Sequence, residues 1–312
     1  MSDDIRALID QVDGDYLAQL LRLLAKEPLP CRVLNVTLPG HHKSTLEEAD
    51  DLIAGWLASW SYAVEREGVP VQAFRRDETK PLAHQYSKPA PEDPWYTARN
   101  LYAKKVGTRY PEELILALAH KDSQSWLGCA AGANDNAVGT AGLLEIARCL
   151  SDYEPQRSIW FLFCNEEHTP WTSVTAAERL AASHYDVRAV LNIDGIGAKS
   201  AEDTQAGKKT NVTRYTTPEG ETLAELMNAL NERYAIGLEQ RSFASAKPGD
   251  DDGSFIKAGI PPAVLNIGSI PYAEPHYHTA EDVVGYVDIE NVRLATQLSL
   301  AFLLHLDQHG GP

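Results

Sequence analysis

The sequence predicts an α/β fold in which a mixed, mostly parallel central sheet is flanked by helices on both faces. Three observations lead to this class. The 312-residue chain is 44% hydrophobic and 23% charged, as an ordinary globular protein is. Short apolar runs alternate with amphipathic segments in its second half, as in a parallel sheet with helical crossovers. Several runs are apolar throughout, such as SIWFLFC at 158–164, which is typical of strands covered on both faces.

The first thirty residues read as a separate helical segment. Residues 1–30 have apolar side chains at helical spacing and end at the proline-containing EPLP, so we assign them to an N-terminal helical extension. Residues 31–312 are assigned to a single domain, because no linker or internal repeat divides them. Within it, CRVLNVTLP at 31–39 fits either a strand or a segment on the rim of the sheet.

A long helix and a proline-rich loop are predicted next. The helix spans 44–68, with Ser44 as N-cap and Glu47 three residues later, the pattern of a capping box. A strand over 69–77 and a loop over 78–96 follow.

Strands and helices then alternate to the end of the chain. The spacing predicts a loop over 244–259, where glycine and aspartate are frequent. The predicted strands cover 97–108, 111–120, 158–167, 186–197 and 261–268, and the predicted helices cover 136–153, 173–183, 221–237 and 288–306.

Charge and composition narrow the possible partners and location. The formal net charge is −16, and such a surface repels phosphate backbones, so no nucleic-acid partner is expected. We find neither a membrane-spanning run nor a signal-peptide pattern, so we expect no membrane association and a cytoplasmic location. The four cysteines are scattered without a CxxC motif and are predicted to be reduced, mostly buried thiols: Cys31, Cys129, Cys149 and Cys164. A homo-oligomer is compatible with the sequence but is not indicated by it.

Metal-ligating side chains follow the predicted strands where each strand ends. Ligands in open α/β sheets bind outside the carboxyl ends of the strands. Taken alone, each residue could have an ordinary structural role, since Asp135 stands where a helix N-cap would and Asp194 precedes a glycine turn. Together they form a set of nitrogen and oxygen donors suited to Zn²⁺ and tolerant of Mn²⁺ or Co²⁺, and two metal ions sharing a carboxylate would use all five. The candidates are His120, Asp135, one of the pair Glu166 and Glu167, Asp194, and one of His276 and His278.

Six stretches carry a resemblance to a known family. They are ALAHKDS (117–123), GANDNAVGTAGLLEIAR (132–148), FLFCNEEHTPWTS (161–173), LNIDGIG (191–197), DDDGSFIKAGIPPAVL (250–265) and PHYHTAED (275–282). In their order and separations they resemble the zinc-dependent peptidase family that includes secreted bacterial aminopeptidases, glutamate carboxypeptidases and glutaminyl cyclases. The resemblance covers roughly residues 32–305.

The resemblance implies a role for each site residue. His120 and Asp194 would hold one zinc ion, Glu167 and His278 the other, and Asp135 would bridge them. Glu166 would be the general base acting on a metal-bound water. Asp122 would orient His120, and the Tyr277 phenol would stabilise the tetrahedral oxyanion.

Two departures from the family pattern concern the pocket. HTPWTS replaces the usual segment after the glutamate pair, so His168 and Trp171 are expected to reshape the pocket rim. DDD at Asp250–Asp252 replaces the usual Ser-Asp-His, and is either a site for a positively charged substrate group or a solvated loop.

The resemblance implies an aminopeptidase that acts on small peptides. Three alternatives remain open. One is a glutaminyl-cyclase-like aminoacyltransferase with a single zinc ion. Another is a dipeptidase or carboxypeptidase. The third is a metal-free binding domain, which would require lost ligands, whereas all five ligand residues are present here.

Overall fold

A nine-stranded sheet forms the centre of the protein in the computed structural model, which describes residues 2–270 and 272–311. A separate two-stranded hairpin lies beside it. The strands are β1 (Val64–Ala73), β2 (Arg75–Arg76), β3 (Tyr86–Ser87), β4 (Tyr96–Lys105), β5 (Tyr110–His120), β6 (Arg157–Cys164), β7 (His168–Thr169), β8 (Asp186–Ile193), β9 (Thr210–Tyr215), β10 (Glu239–Ala244) and β11 (Ala263–Ile267).

The middle of the sheet is parallel and its flanks are mixed. The strand order is β10-β9-β11-β8-β5-β6-β4-β1-β7. Strands β11, β8, β5 and β6 run parallel, so their carboxyl ends lie at one edge. Strands β4 and β1 continue antiparallel on one side, while β9 pairs antiparallel with β11 and parallel with β10 on the other. The predicted mixed sheet is confirmed, but it is parallel mainly in its middle, since four of its eight strand pairings are parallel and four are antiparallel.

Helices cover both faces of the sheet, as predicted. Apolar side chains of α1, α2, α4, α7 and α9 form the larger core on one face, and α5 and α8 pack on the other. None of the helices among the described residues has the length and apolarity that a membrane crossing requires. The helices are α1 (Ser2–Ile9), α2 (Gly14–Ala25), α3 (Thr45–Ser59), α4 (Val138–Cys149), α5 (Thr172–Ala181), α6 (Ala201–Gln205), α7 (Pro218–Arg233), α8 (Asp250–Lys257) and α9 (Ile289–His309).

The N-terminal helices share the core of the rest of the chain. Ile5, Leu17 and Leu24 are buried in the same cluster as α4 and α9. The division into an extension and a domain stays a prediction, but these helices are packed rather than loosely attached.

The predicted helix over 44–68 is too long. The capping box at Ser44 and Glu47 is present, but α3 ends at Ser59 and Ser61 adopts a left-handed conformation with φ 67°. Residues from Val64 onward pair with β4 instead. Sheet pairing therefore overrides the helical periodicity at the end of this segment.

The prediction of four reduced thiols is wrong for two of them. Cys31 and Cys129 form a disulfide that closes a sequence separation of 98 residues, while Cys149 and Cys164 are free and buried. Spacing along the chain does not report this pairing, because the fold brings the two Cα atoms to 5.2 Å. Disulfides persist in oxidising compartments, so the cytoplasmic location loses the support of the thiols and stays a prediction.

Candidate metal centre and active site

The predicted ligands converge at the carboxyl edge of the parallel strands. His120 is the last residue of β5, the glutamate pair follows β6 after one residue, and Asp194 follows β8 directly. Asp135 lies in the irregular turn Ala133–Ala137 that enters α4, and His278 lies in the long segment between β11 and α9. Topology thus brings together five side chains that are far apart in sequence.

One half of the site is built around His120. Its Nε2 lies 3.1 Å from Asp135 Oδ1 and 3.6 Å from Asp194 Oδ1. All three residues are buried.

The other half is built around His278. Its Nε2 lies 3.1 Å from Asp135 Oδ2 and 3.3 Å from Glu167 Oε1. The two oxygens of Asp135 therefore face different histidines, which is the arrangement expected of a carboxylate shared by two cations.

The donor set fits a metal ion in spacing and in charge. Ligands about 2.0–2.1 Å from a tetrahedral zinc ion are about 3.3 Å from one another, close to the separations found here. Burial opposes protonation of His120, yet Asp194, Asp122 and Asp135 raise its pKa well above the ordinary value. Burial, and Asp135 after it, raises the pKa of Glu167 to about 7. The chain thus collects more negative charge here than its own residues neutralise, as a cation site does.

Asp122 anchors the site from behind. Its Oδ1 accepts a hydrogen bond from Nδ1 of His120 at 3.2 Å and one from the backbone N–H of Glu166 at 2.9 Å. Its Oδ2 accepts from the backbone N–H of Glu167 at 2.8 Å. Asp122 therefore connects the end of β5 with the glutamate pair after β6, and it directs Nε2 of His120 toward the site.

Asp282 holds the turn that carries Asp135 and was not singled out from the sequence. Its carboxylate accepts the backbone N–H groups of Asn134 at 2.8 Å and Asp135 at 2.9 Å, and it is buried. The only signal in the sequence was its place at the end of the PHYHTAED stretch. Asn136 fixes the other side of the turn by donating to the Ile193 carbonyl and accepting from Gly139.

Glu166 lies beside the ligands without being tied to a histidine. Its Oε2 is buried and has no hydrogen-bond partner among the described residues. Burial, reinforced by the carboxylates of Asp251 and Asp250, raises its pKa well above the ordinary value. A carboxylate with these surroundings gains from taking up a proton.

A cavity of about 230 Å³ opens onto these residues. One wall is aromatic and consists of Phe74, Tyr86 and Trp126, whose rings contact one another edge to face or at a tilt. Tyr277 also lines the cavity, and its ring stacks on His278 with the centroids 3.8 Å apart. Trp171 is on the wall, as expected, but His168 is fully buried away from the rim, which corrects that expectation.

Asp250–Asp252 are not a solvated loop. They form the first turn of α8, where their charge favours the helix N-terminus, and Asp251 and Asp252 are fully buried. Arg214 pairs with Asp250 and, at 2.9 Å, with Asp252. Asp250 is the one of the three that lines the cavity. The predicted loop over 244–259 was therefore wrong where α8 lies.

A hairpin from outside the main sheet supports His278. The segment between β2 and β3 contains a single helical turn, Leu82–His84, within the predicted proline-rich loop. The carbonyl of Ala83 accepts a hydrogen bond from Nδ1 of His278 at 3.1 Å. Since that nitrogen carries the proton, Nε2 is free to face Asp135 and Glu167.

Comparison with known proteins identifies the family. The family model Peptidase family M28 matches residues 100–303, more than half of the chain and a span that contains all five predicted ligands. The chain belongs to peptidase family M28. It is a metal-dependent peptidase, as the resemblance implied.

The curated relatives of this chain include zinc metalloproteases and aminopeptidases. A probable zinc metalloprotease of Pyrenophora teres f. teres is 25% identical over 98% of this chain and 69% of its own length. Aminopeptidase YwaD of Bacillus subtilis is 25% identical over 75% of this chain, and the match covers 50% of that protein.

Two solved structures share the fold across nearly the whole chain. The aminopeptidase of Aneurinibacillus sp. strain AM-1 superposes with a TM-score of 0.71 at 15% identity, covering 97% of this chain and 96% of that one. A glutaminyl cyclase of Bacteroides thetaiotaomicron has a TM-score of 0.66 at 16% identity, covering 94% and 97%. The fold class is confirmed.

Proposed function

We propose that this M28 peptidase is an aminopeptidase that removes the N-terminal residue of small peptides with two metal ions bridged by Asp135. The observation that carries the choice of peptide end is the charge of the cavity. Glu166 and Asp250 line it, Asp250 being paired with Arg214, which is not a lining residue, and among the described lining residues there is no lysine or arginine. A free ammonium group is attracted to such a wall, whereas a terminal carboxylate would lack a cationic partner.

The arrangement of five donors supports two metal ions rather than one. His120 and Asp194 would hold the first, and Glu167 and His278 the second. Asp135 would supply one oxygen to each, since its two oxygens lie 3.1 Å from the two different imidazoles. Zinc, with Mn²⁺ or Co²⁺ as substitutes, matches these nitrogen and oxygen donors.

The chain's own residues would move the proton and hold the developing charge. Bound zinc supplies a Lewis acid that polarises the scissile carbonyl and lowers the pKa of water. Glu166 then takes a proton at its carboxylate from the attacking water and returns it to the leaving amine. Tyr277, held by its stacking on His278 and Tyr272, would donate its phenolic hydrogen to the carbonyl oxygen as negative charge grows there.

Matched substrates test the peptide end that is recognised. The zinc-loaded protein is assayed with aminoacyl-nitroanilides, with dipeptides, and with the same compounds acetylated at the amine. We expect hydrolysis of the free-amine substrates and its loss on acetylation. Equal cleavage of blocked peptides, or release of residues from the carboxyl end, would overturn the proposal. Formation of pyroglutamate from glutaminyl peptides without hydrolysis would instead favour the cyclase alternative.

A further inference from the structure

His168 is buried directly behind the metal centre, and each of its ring nitrogens makes one hydrogen bond. Its Nδ1 lies 2.8 Å from Asp122 Oδ2, and its Nε2 accepts the backbone N–H of Leu34 at 3.2 Å. A nitrogen that accepts carries no proton, so the proton of the neutral ring is on Nδ1 and is donated to Asp122. The side chain is fully buried, so no water competes for either nitrogen.

The hydrogen bond from Nδ1 of His168 occupies the last acceptor position of the Asp122 carboxylate. A carboxylate has about four lone-pair positions. Three are used by His120 and by the backbone N–H groups of Glu166 and Glu167, as described above. His168 fills the fourth, so the orientation of this carboxylate is determined on every side. Asp122 is itself fully buried.

The Nε2 side of His168 contacts residues 31–34, a segment outside the strands and helices that is held by several bonds. Cys31 is joined to Cys129, and the Arg32 backbone N–H donates to Ser123 at 2.9 Å. The Arg32 guanidinium donates to the carbonyls of Leu24, Lys121, Ala131 and Gly132, which encloses the loop after β5. Leu34 therefore presents its N–H from a fixed position, and His168 transmits that position to Asp122.

We propose that His168 is a positioning residue of the metal centre, acting through Asp122 to fix the imidazole of His120 and the backbone of the glutamate pair. The inference rests on the metal-binding part of the proposed function. The proposal predicts that zinc affinity depends on the hydrogen bond that Nδ1 of His168 donates to Asp122. The hydrogen bond between Nε2 and Leu34 serves to place the proton on Nδ1.

Substitution of His168 by asparagine or glutamine tests the roles of its two ring nitrogens separately. The asparagine amide can occupy the place of Nδ1 and keep a donor on Asp122, whereas the longer glutamine amide reaches toward Leu34. The full chain is stripped of metal with a chelator, and its affinity for zinc alone is measured against a chromophoric competitor. We expect His168→Leu and His168→Gln to weaken zinc binding by ~10–100-fold, the effect of losing an outer partner of a ligand, and His168→Asn to restore most of it. His184→Asn, at an exposed histidine, is the matched control.

A double-mutant cycle tests whether the effect passes through Asp122. If it does, His168→Leu adds little in an Asp122→Asn background, because the carboxylate that it orients is already gone. Independent, multiplying losses would overturn the proposal, and so would equal affinities of the Leu, Gln and unchanged proteins.

Loss of folding and loss of zinc affinity are measured separately for each variant. Thermal unfolding of each metal-free variant reports folding, and if the Leu variant does not fold, the Asn and Gln variants carry the comparison. Equal zinc loss in these two folded variants would overturn the proposal. Because the readout is zinc affinity, a chain that binds zinc as expected but cleaves no free-amine substrate would contradict the proposed aminopeptidase and not this inference.

Discussion

Glu166 and Glu167 carry the same chemical group one residue apart but have different surroundings. Glu167 Oε1 lies 3.3 Å from His278 Nε2, whereas Glu166 has a buried oxygen without a partner among the described residues. We therefore expect Glu167→Gln to lower metal content, because a neutral amide is a poorer zinc ligand. Glu166→Gln should retain both metal ions and lose activity by ~10²–10⁴-fold, mostly in kcat.

Metal analysis and steady-state kinetics of both variants check this prediction. Glu178→Gln, on α5 and away from the cavity, is a control of the same chemical change. Metal loss in Glu166→Gln with a fully loaded, inactive Glu167→Gln would mean that the two roles are exchanged. Two loaded and active variants would show that the pair is not the site.

For individual residues, the sequence indicated the predicted metal ligands more clearly than the residues that hold them in place by hydrogen bonds. The five predicted ligands were chosen partly because they follow predicted strands or precede a helix, and partly from the resemblance, which selected Glu167 over Glu166 and His278 over His276. His168 was expected at the pocket rim and Asp282 was not singled out, because their contribution lies in hydrogen bonds to residues 46 and 147 positions away. Such contacts depend on tertiary structure and leave no local pattern.

At the scale of elements, the β2–β3 hairpin is predicted to be part of the metal site. Deleting Leu82–His84 removes the Ala83 carbonyl that accepts from Nδ1 of His278. We expect the deletion to weaken zinc binding by ~10–100-fold, because the imidazole loses its outer partner. Leu82→Ala is the control, since that side chain is 64% exposed and its removal leaves the carbonyl in place.

Competition titration with zinc checks the hairpin prediction. A deletion variant that is folded and binds zinc as tightly as the unchanged protein would contradict it. The sequence indicated only a loop here, because two-residue strands are too short to show alternation. By contrast, β5 and β6 contain long apolar runs, and the positions of these strands and of β8 were predicted closely.

For the whole molecule, the disulfide is predicted to contribute to stability. Only two of the four cysteines should react with a thiol reagent in denaturant, and all four after reduction. Replacing Cys31 and Cys129 with alanine should lower the free energy of unfolding by about 2–5 kcal/mol, since the bond closes a loop of roughly a hundred residues. Cys149→Ala, at a free cysteine, is the comparison. Four reactive thiols without reductant would refute the bond.

The metal-free protein is predicted to lose stability as pH rises. Burial raises the pKa of Asp194 to about 6, of Glu167 and Asp282 to about 7, and of Glu274 to about 8. A group whose pKa is higher in the folded state stabilises the fold below its ordinary value, and this contribution is lost as pH rises through the folded value. The Tm of the metal-free protein should therefore fall between pH 5 and pH 8.

Zinc should reverse this trend by supplying the missing positive charge. Because zinc competes with protons for the same donors, the increase in Tm on adding zinc should be larger at pH 8 than at pH 5. Thermal unfolding at both pH values, with and without zinc, measures it. A metal-free Tm that stays level or rises over this range would contradict the assignment of these pKa values.

The number of zinc ions held by the chain, with and without Asp135, tests the central claim most directly. Metal-free protein is titrated with zinc while bound metal and hydrolysis of a free-amine nitroanilide are followed together, for the unchanged chain, for Asp135→Ala and for the exposed control Asp186→Ala. We predict two equivalents and full activity for the unchanged chain and for the control, and loss of both sites in Asp135→Ala, because one carboxylate serves both ions. Full activity at one equivalent, or two ions retained in folded Asp135→Ala, would contradict the bridged two-metal centre.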